Sequence, residues 1–85
     1  MKQFEYVISD PQGIHARPAG MLVKKASEFT SNIEIKKGEH TGNAKRIFSI
    51  MALAAKQGET ISITVNGPDE AAAAEAVEAF LKENL

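Results

Sequence analysis

Three segments of the chain alternate apolar and polar residues, and that alternation dictates a sheet with one wet face. Thr60-Ile61-Ser62-Ile63-Thr64-Val65 is the clearest, with Ile61, Ile63 and Val65 on one side. Asn32-Ile33-Glu34-Ile35-Lys36 repeats the pattern, and residues 2–8 mix β-formers with polar residues in the same way. Strands buried on both faces would read as continuous apolar runs instead. Whatever else the chain forms must therefore cover a single side of this sheet.

The intervening segments supply that cover. From Ala16 to about Ser27, the residues Ala19, Leu22, Val23 and Ala26 recur at helical spacing on one face. Ala44 to Ala55 is apolar and helical in composition, and Lys56-Gln57-Gly58 stops it. A third helix follows Asn66-Gly67, with Pro68 expected at its first position, acids in its first turn, and a buried stripe of Ala73, Val77, Phe80 and Leu81. Asp10-Pro11-Gln12-Gly13 ends the first strand, and Lys37-Gly38-Glu39 turns the chain into a short returning strand from His40 to Asn43. The order β-α-β-β-α-β-α predicts an α+β fold. Its form is an open-faced β-sandwich, a four-stranded antiparallel sheet covered on one face by three helices. Residues 1–85 read as one domain, a natural size for a single modest core.

Composition excludes several functions. A net charge of −1 argues against wrapping nucleic acid phosphates, and 6% aromatic residues leave no stacking pair for RNA on the sheet face. There is no cysteine, so disulfides and thiolate metal sites are ruled out. The N-terminal segment lacks a basic region followed by an apolar run, which predicts no membrane insertion and a cytoplasmic protein.

The chemistry gathers at Gly13-Ile14-His15-Ala16-Arg17-Pro18. The first helix starts there, with Ile14 before the cap, His15 at the N-cap and Ala16 at the first helical position. A helix start has N–H groups without intrahelical acceptors and carries partial positive charge, so it receives anions. Serine, threonine, aspartate or asparagine would cap better than histidine, so helix stability alone does not account for His15. Pro18 lacks an N–H where none is needed, yet it disfavours helical geometry at Arg17. A neutral imidazole is a nucleophile. Beside it, the N–H groups of Ala16 and Arg17 can receive phosphoryl oxygens, and the Arg17 guanidinium can add charge-assisted hydrogen bonds. A phosphate-carrying histidine follows from that combination. His40, the other histidine, has no paired ligand spacing and reads as a surface residue, so no metal and no cofactor is implied.

A docking face is expected beside His15. On the first helix Arg17, Gly20, Met21 and Lys24 fall opposite Leu22, Val23 and Ala26. Glycine inside a helix costs about 1 kcal/mol relative to alanine, and close approach of another surface would explain Gly20. In the second helix Ile50, Leu53 and Ala54 can form the buried stripe, leaving Ile47, Phe48 and Met51 on another face. Such an apolar patch marks a partner site, and methionine repacks readily against different partners.

These residues resemble a known family. Gly13-Ile14-His15-Ala16-Arg17-Pro18-Ala19 is similar to the active-site signature of HPr, the histidine-containing phosphocarriers of the bacterial phosphoenolpyruvate:sugar phosphotransferase system. Phe29-Thr30-Ser31-Asn32-Ile33, Asn43-Ala44-Lys45-Arg46-Ile47-Phe48 and Gln57-Gly58 extend the likeness along the whole chain. The resemblance implies that Nδ1 of His15 takes a phosphoryl group from phosphorylated enzyme I and gives it to IIA domains of sugar permeases. It places Arg17 close to the phosphate, and Gly20, Met21, Ile47, Phe48 and Met51 where both partners dock. Such a chain is a carrier rather than a stand-alone enzyme, and one that docks with two partners in turn is expected to be a monomer. Many relatives from low-GC Gram-positive bacteria carry a regulatory serine at the start of the second helix. Arg46 stands there, against the helix dipole, and Ser49 is the nearest hydroxyl. Two alternatives stay open: the same phosphohistidine chemistry in a dedicated regulatory branch, and a non-enzymatic binding domain with an incidental His-x-Arg-Pro.

Overall fold

Ile33, Ile35, Ile61, Ile63 and Val65 are all almost completely buried, and they lie on one face of the sheet. The computed structural model describes residues 1–85. Its elements are β1 (Lys2–Val7), α1 (Ala16–Ala26), β2 (Asn32–Lys37), β3 (His40–Asn43), α2 (Ile47–Met51), β4 (Thr60–Asn66) and α3 (Glu70–Asn84). The strands form one antiparallel sheet in the order β1-β4-β2-β3. In the register Ile63 faces Phe4 on one side and Ile35 on the other, so the apolar face runs continuously across three strands. The opposite face carries Glu5, Ser62, Thr64, Glu34 and Lys36. This is the open-faced sandwich that the alternation predicts.

The helices close over the apolar face. Ala19, Leu22 and Ala26 of α1, Ile50 of α2, and Ala73, Val77, Phe80 and Leu81 of α3 join the sheet residues in one core. Burying each of its larger aliphatic side chains contributes roughly 1.5–3 kcal/mol. No helix is long and apolar enough to cross a membrane.

Two helix boundaries differ from the expected ones, and each has a local cause. The second helix is not the whole of 44–55 but only Ile47–Met51. Upstream, the Ala44 N–H donates to the Ile33 carbonyl, and the Arg46 N–H to Asn43, which keeps this stretch in sheet and turn geometry. Downstream, the Leu53 and Ala54 amides bond three residues back, to Ile50 and Met51, tightening the last turn. Ala54 then adopts φ +51°, the left-handed region, which ends the helix. It is exposed, so the expected buried stripe keeps Ile50 and Leu53 and loses Ala54.

The third helix starts at Glu70 with Asp69 as N-cap, so Pro68 lies outside it rather than at the first helical position. Asp69 is committed elsewhere. Its carboxylate accepts the N–H groups of Thr30 and Ser31, each at 2.9 Å, and a short hydrogen bond from the Ser31 hydroxyl. Ser31 Oγ in turn accepts the Asp69 N–H at 3.2 Å. This clasp ties the start of α3 to the entry of β2.

Two outcomes test these local accounts. Ala54→Gly relieves the left-handed strain at some cost in unfolded-chain entropy, and should stabilise the fold by about 0.5–1 kcal/mol in urea denaturation. A loss of stability would show that the alanine is unstrained. The hydrogen bond from Ser31 Oγ, with the backbone donors, lowers the Asp69 carboxyl to about 2. Its stabilisation is complete above the unfolded carboxyl value of about 4 and disappears as pH falls toward the folded one. The melting temperatures of wild type and Asp69→Asn should therefore differ at neutral pH and converge under acid. A gap independent of pH would contradict the ionised clasp.

Candidate functional site at the start of the first helix

The loop from β1 to α1 is held from three directions. Gly13 has φ +67°, and a side chain there would collide with the Ala55 carbonyl. Beside it, the Ile14 N–H donates to that same carbonyl at 2.9 Å, and Ile14 is buried. The backbone N–H groups of Ser9 and Asp10 donate to the Leu85 oxygen at the end of α3, at 2.6 and 2.8 Å. Finally the loop braces itself: the Asp10 carbonyl accepts the Gly13 N–H, and Asp10 Oδ1 accepts the Gln12 N–H at 2.8 Å.

That frame presents His15 as the N-cap of α1, as expected. Its backbone is extended (φ −118°, ψ 176°), its carbonyl accepts the Ala19 N–H at 2.9 Å, and its side chain makes no capping hydrogen bond. The imidazole is thus free of the usual duty of an N-cap. The N–H groups of Ala16 and Arg17 have no acceptor within the protein, and Pro18 contributes no N–H. His15, Arg17, Pro18 and Met21 share a shallow cavity of about 280 Å³ with Asp10 and Asn84. The structure therefore brings together the histidine, the arginine and two free amides.

Asp10 and Asn84 were not legible as site residues. Asp10 reads as a strand terminator before Pro11, yet its Oδ2 lies 3.7 Å from His15 Nε2. A carboxylate five residues ahead of a candidate nucleophile does not mark it, because the fold of the intervening loop decides whether the two meet. Asn84 is not marked either, because its place depends on how α3 packs. His40 lies exposed in β3, far from this constellation in the sheet order.

The expected docking residues divide into two groups. Phe48 is 83% exposed, Met21 47% and Met51 39%, while Arg17, Lys24 and Arg46 are exposed around them. Ile47 is different: it is half-buried, packs on the core, and meets Gly20 across the α1–α2 contact. A Cβ at Gly20 would sit 3.7 Å from Ile47 Cδ1, an ordinary contact, so helix packing does not demand glycine there. Arg46 is the N-cap of α2 with no side-chain capping bond. Ser49 Oγ accepts the Asn43 N–H at 2.8 Å, which holds the turn entering α2.

Known proteins match this chain over nearly its whole length. The family profile described as "PTS HPr component phosphorylation site" covers residues 2–83. A phosphocarrier protein HPr of Lysinibacillus sphaericus is 46% identical over 83 residues, 98% of this chain and 94% of the relative. Among solved structures, a mycoplasma histidine-containing phosphocarrier protein superposes with a TM-score of 0.94 at 41% identity, covering 96% of this chain and 93% of that one. An HPr dimer from Thermoanaerobacter tengcongensis has a TM-score of 0.78 at 36% identity, covering 98% and 95%. With the fold, the profile and the relatives in agreement, the chain belongs to the HPr family of phosphocarrier proteins.

Proposed function

We propose that His15 is the phosphoryl-carrying residue, loaded through Nδ1 by phosphorylated enzyme I and unloaded by IIA domains of sugar permeases. The observation that carries this reading is an imidazole that makes no capping bond, beside the free N–H groups of Ala16 and Arg17, in a cavity that Arg17 also lines. A phosphoryl group on the ring brings up to two negative charges to a helix start, where amide donors and the dipole favour them. Charge-assisted contacts of this kind contribute about 1.5–3 kcal/mol each. They hold the group without enclosing it, which suits a carrier. The partners complete the chemistry.

Docking of both partners is assigned to the half-buried Gly20 and the exposed Met21, Lys24, Phe48 and Met51, with Ile47 serving chiefly to join α1 to α2. Apolar side chains this exposed, with positive charges at the rim, suit a partner face that is apolar at the centre and acidic around it. The carrier acts in the cytoplasm as a monomer, since one face must meet two partners in succession. Arg46 at the start of α2 leaves the chain without a hydroxyl for phosphoserine control at that position.

Incubation with phosphoenolpyruvate, magnesium and enzyme I should add one phosphoryl group by intact mass, acid-labile and absent in His15→Ala. In the same assay Phe48→Ala should raise the KM for enzyme I about tenfold while the folded state keeps its melting temperature, because the exposed ring contributes to docking and not to the core. Phosphorylation of His15→Ala, or of neither protein, would overturn the assignment.

A further inference from the structure

The charged residues lining the cavity around the imidazole are Asp10 and Arg17, while α3 contributes the uncharged Asn84. Arg17 belongs, on the His15 assignment, to the phosphate side of the site. Asp10 does not: its Oδ2 faces the other ring nitrogen, Nε2, at 3.7 Å. Nor is the carboxylate loose. Its side chain is 25% exposed, Oδ1 is held by the Gln12 N–H, and the Asp10 backbone is tied through its N–H to Leu85 and through its carbonyl to Gly13. The result is a fixed negative charge beside Nε2.

We propose that Asp10 is a positioning residue for phosphoryl transfer, holding the Nε2 proton so that Nδ1 is the free nucleophile and the phosphorylated ring stays protonated. This deepens the His15 reading and rests on it. The chemistry balances simply. The Nδ1 lone pair forms the N–P bond as the donor's own bond to phosphorus breaks, and that bond's electron pair leaves with the donor. The proton remains on Nε2, so the ring becomes an imidazolium, whose charge Asp10 offsets. In onward transfer the N–P pair returns to Nδ1 and the ring is neutral again. A protonated ring is the better leaving group, so Asp10 keeps the carried group transferable. Contacts of this sort are often long before the reacting partner arrives, and the separation leaves a short closing movement.

Asp10→Asn separates this role from a structural one. It keeps an oxygen for the Gln12 N–H, so the turn persists, and it removes the charge. Both proteins are phosphorylated with phosphoenolpyruvate and enzyme I, and loss of the group is followed by phosphorus NMR from acid to alkaline pH. The variant should still accept one phosphoryl group on His15. Its adduct should then survive about fivefold longer near neutral pH, as expected for a unit charge near 4 Å in a wet site, with the acid-catalysed limb of the profile displaced to lower pH. Superimposable profiles would overturn the assignment and leave Asp10 a turn residue. Failure of the wild type itself to take up phosphate would overturn the His15 reading along with it. In that case the two proteins fail together, which distinguishes it from an effect of Asp10.

Discussion

One-sided burial of the sheet is the constraint from which the rest of the molecule follows. Ile33, Ile35, Ile61, Ile63 and Val65 need cover on one face only, so all three helices must gather there. Crowding them on a single side brings the start of α1 beside the segment that follows α2 and the end of α3. The Ile14 N–H can then bond the Ala55 carbonyl, and Ser9 and Asp10 can bond Leu85. Those few hydrogen bonds join the core to the chemistry: they hold the loop that aims the imidazole.

The site itself works by omission as much as by contact. A serine or aspartate at the N-cap would satisfy one of the first amides and stabilise α1 by about 1 kcal/mol. With histidine in that place, the amides of Ala16 and Arg17 stay open and the ring stays free. The sacrifice in helix stability leaves two open amides next to an imidazole, the pairing on which the proposed carrier role rests. Around it, exposure of Phe48, Met21 and Met51 sacrifices apolar burial in the same way, which a carrier that must be recognised by other proteins can use.

Much of this was legible in the sequence because it rests on short-range rules. Strand periodicity located β2 and β4 within a residue or two, the His-x-Arg-Pro start located the cap of α1, and the stripe Ala73, Val77, Phe80 and Leu81 is buried as its spacing requires. What escaped depended on long-range partners. The Ala44 amide is drawn into the sheet by Ile33, so a helix-forming composition yields only five helical residues in α2. Asp69 is recruited by Ser31, far away in sequence, which displaces Pro68 from the helix. Gly20 meets Ile47 at ordinary contact distance, so packing within the chain gives no reason for a glycine there. Asp10 faces His15 only because Leu85 and Gly13 fix its backbone, and no local pattern encodes that.

Whether the helix start receives the phosphate is decided by an NMR comparison of the free and phosphorylated protein, observing the backbone amides of Ala16 and Arg17 together with the nitrogens of the His15 ring. Phosphorus coupling to Nδ1 is expected, with both amide protons shifted downfield and slowed in exchange as they take phosphate oxygens. Coupling to Nε2 instead, or a phosphorylated ring with both amides unchanged, would contradict the proposed site.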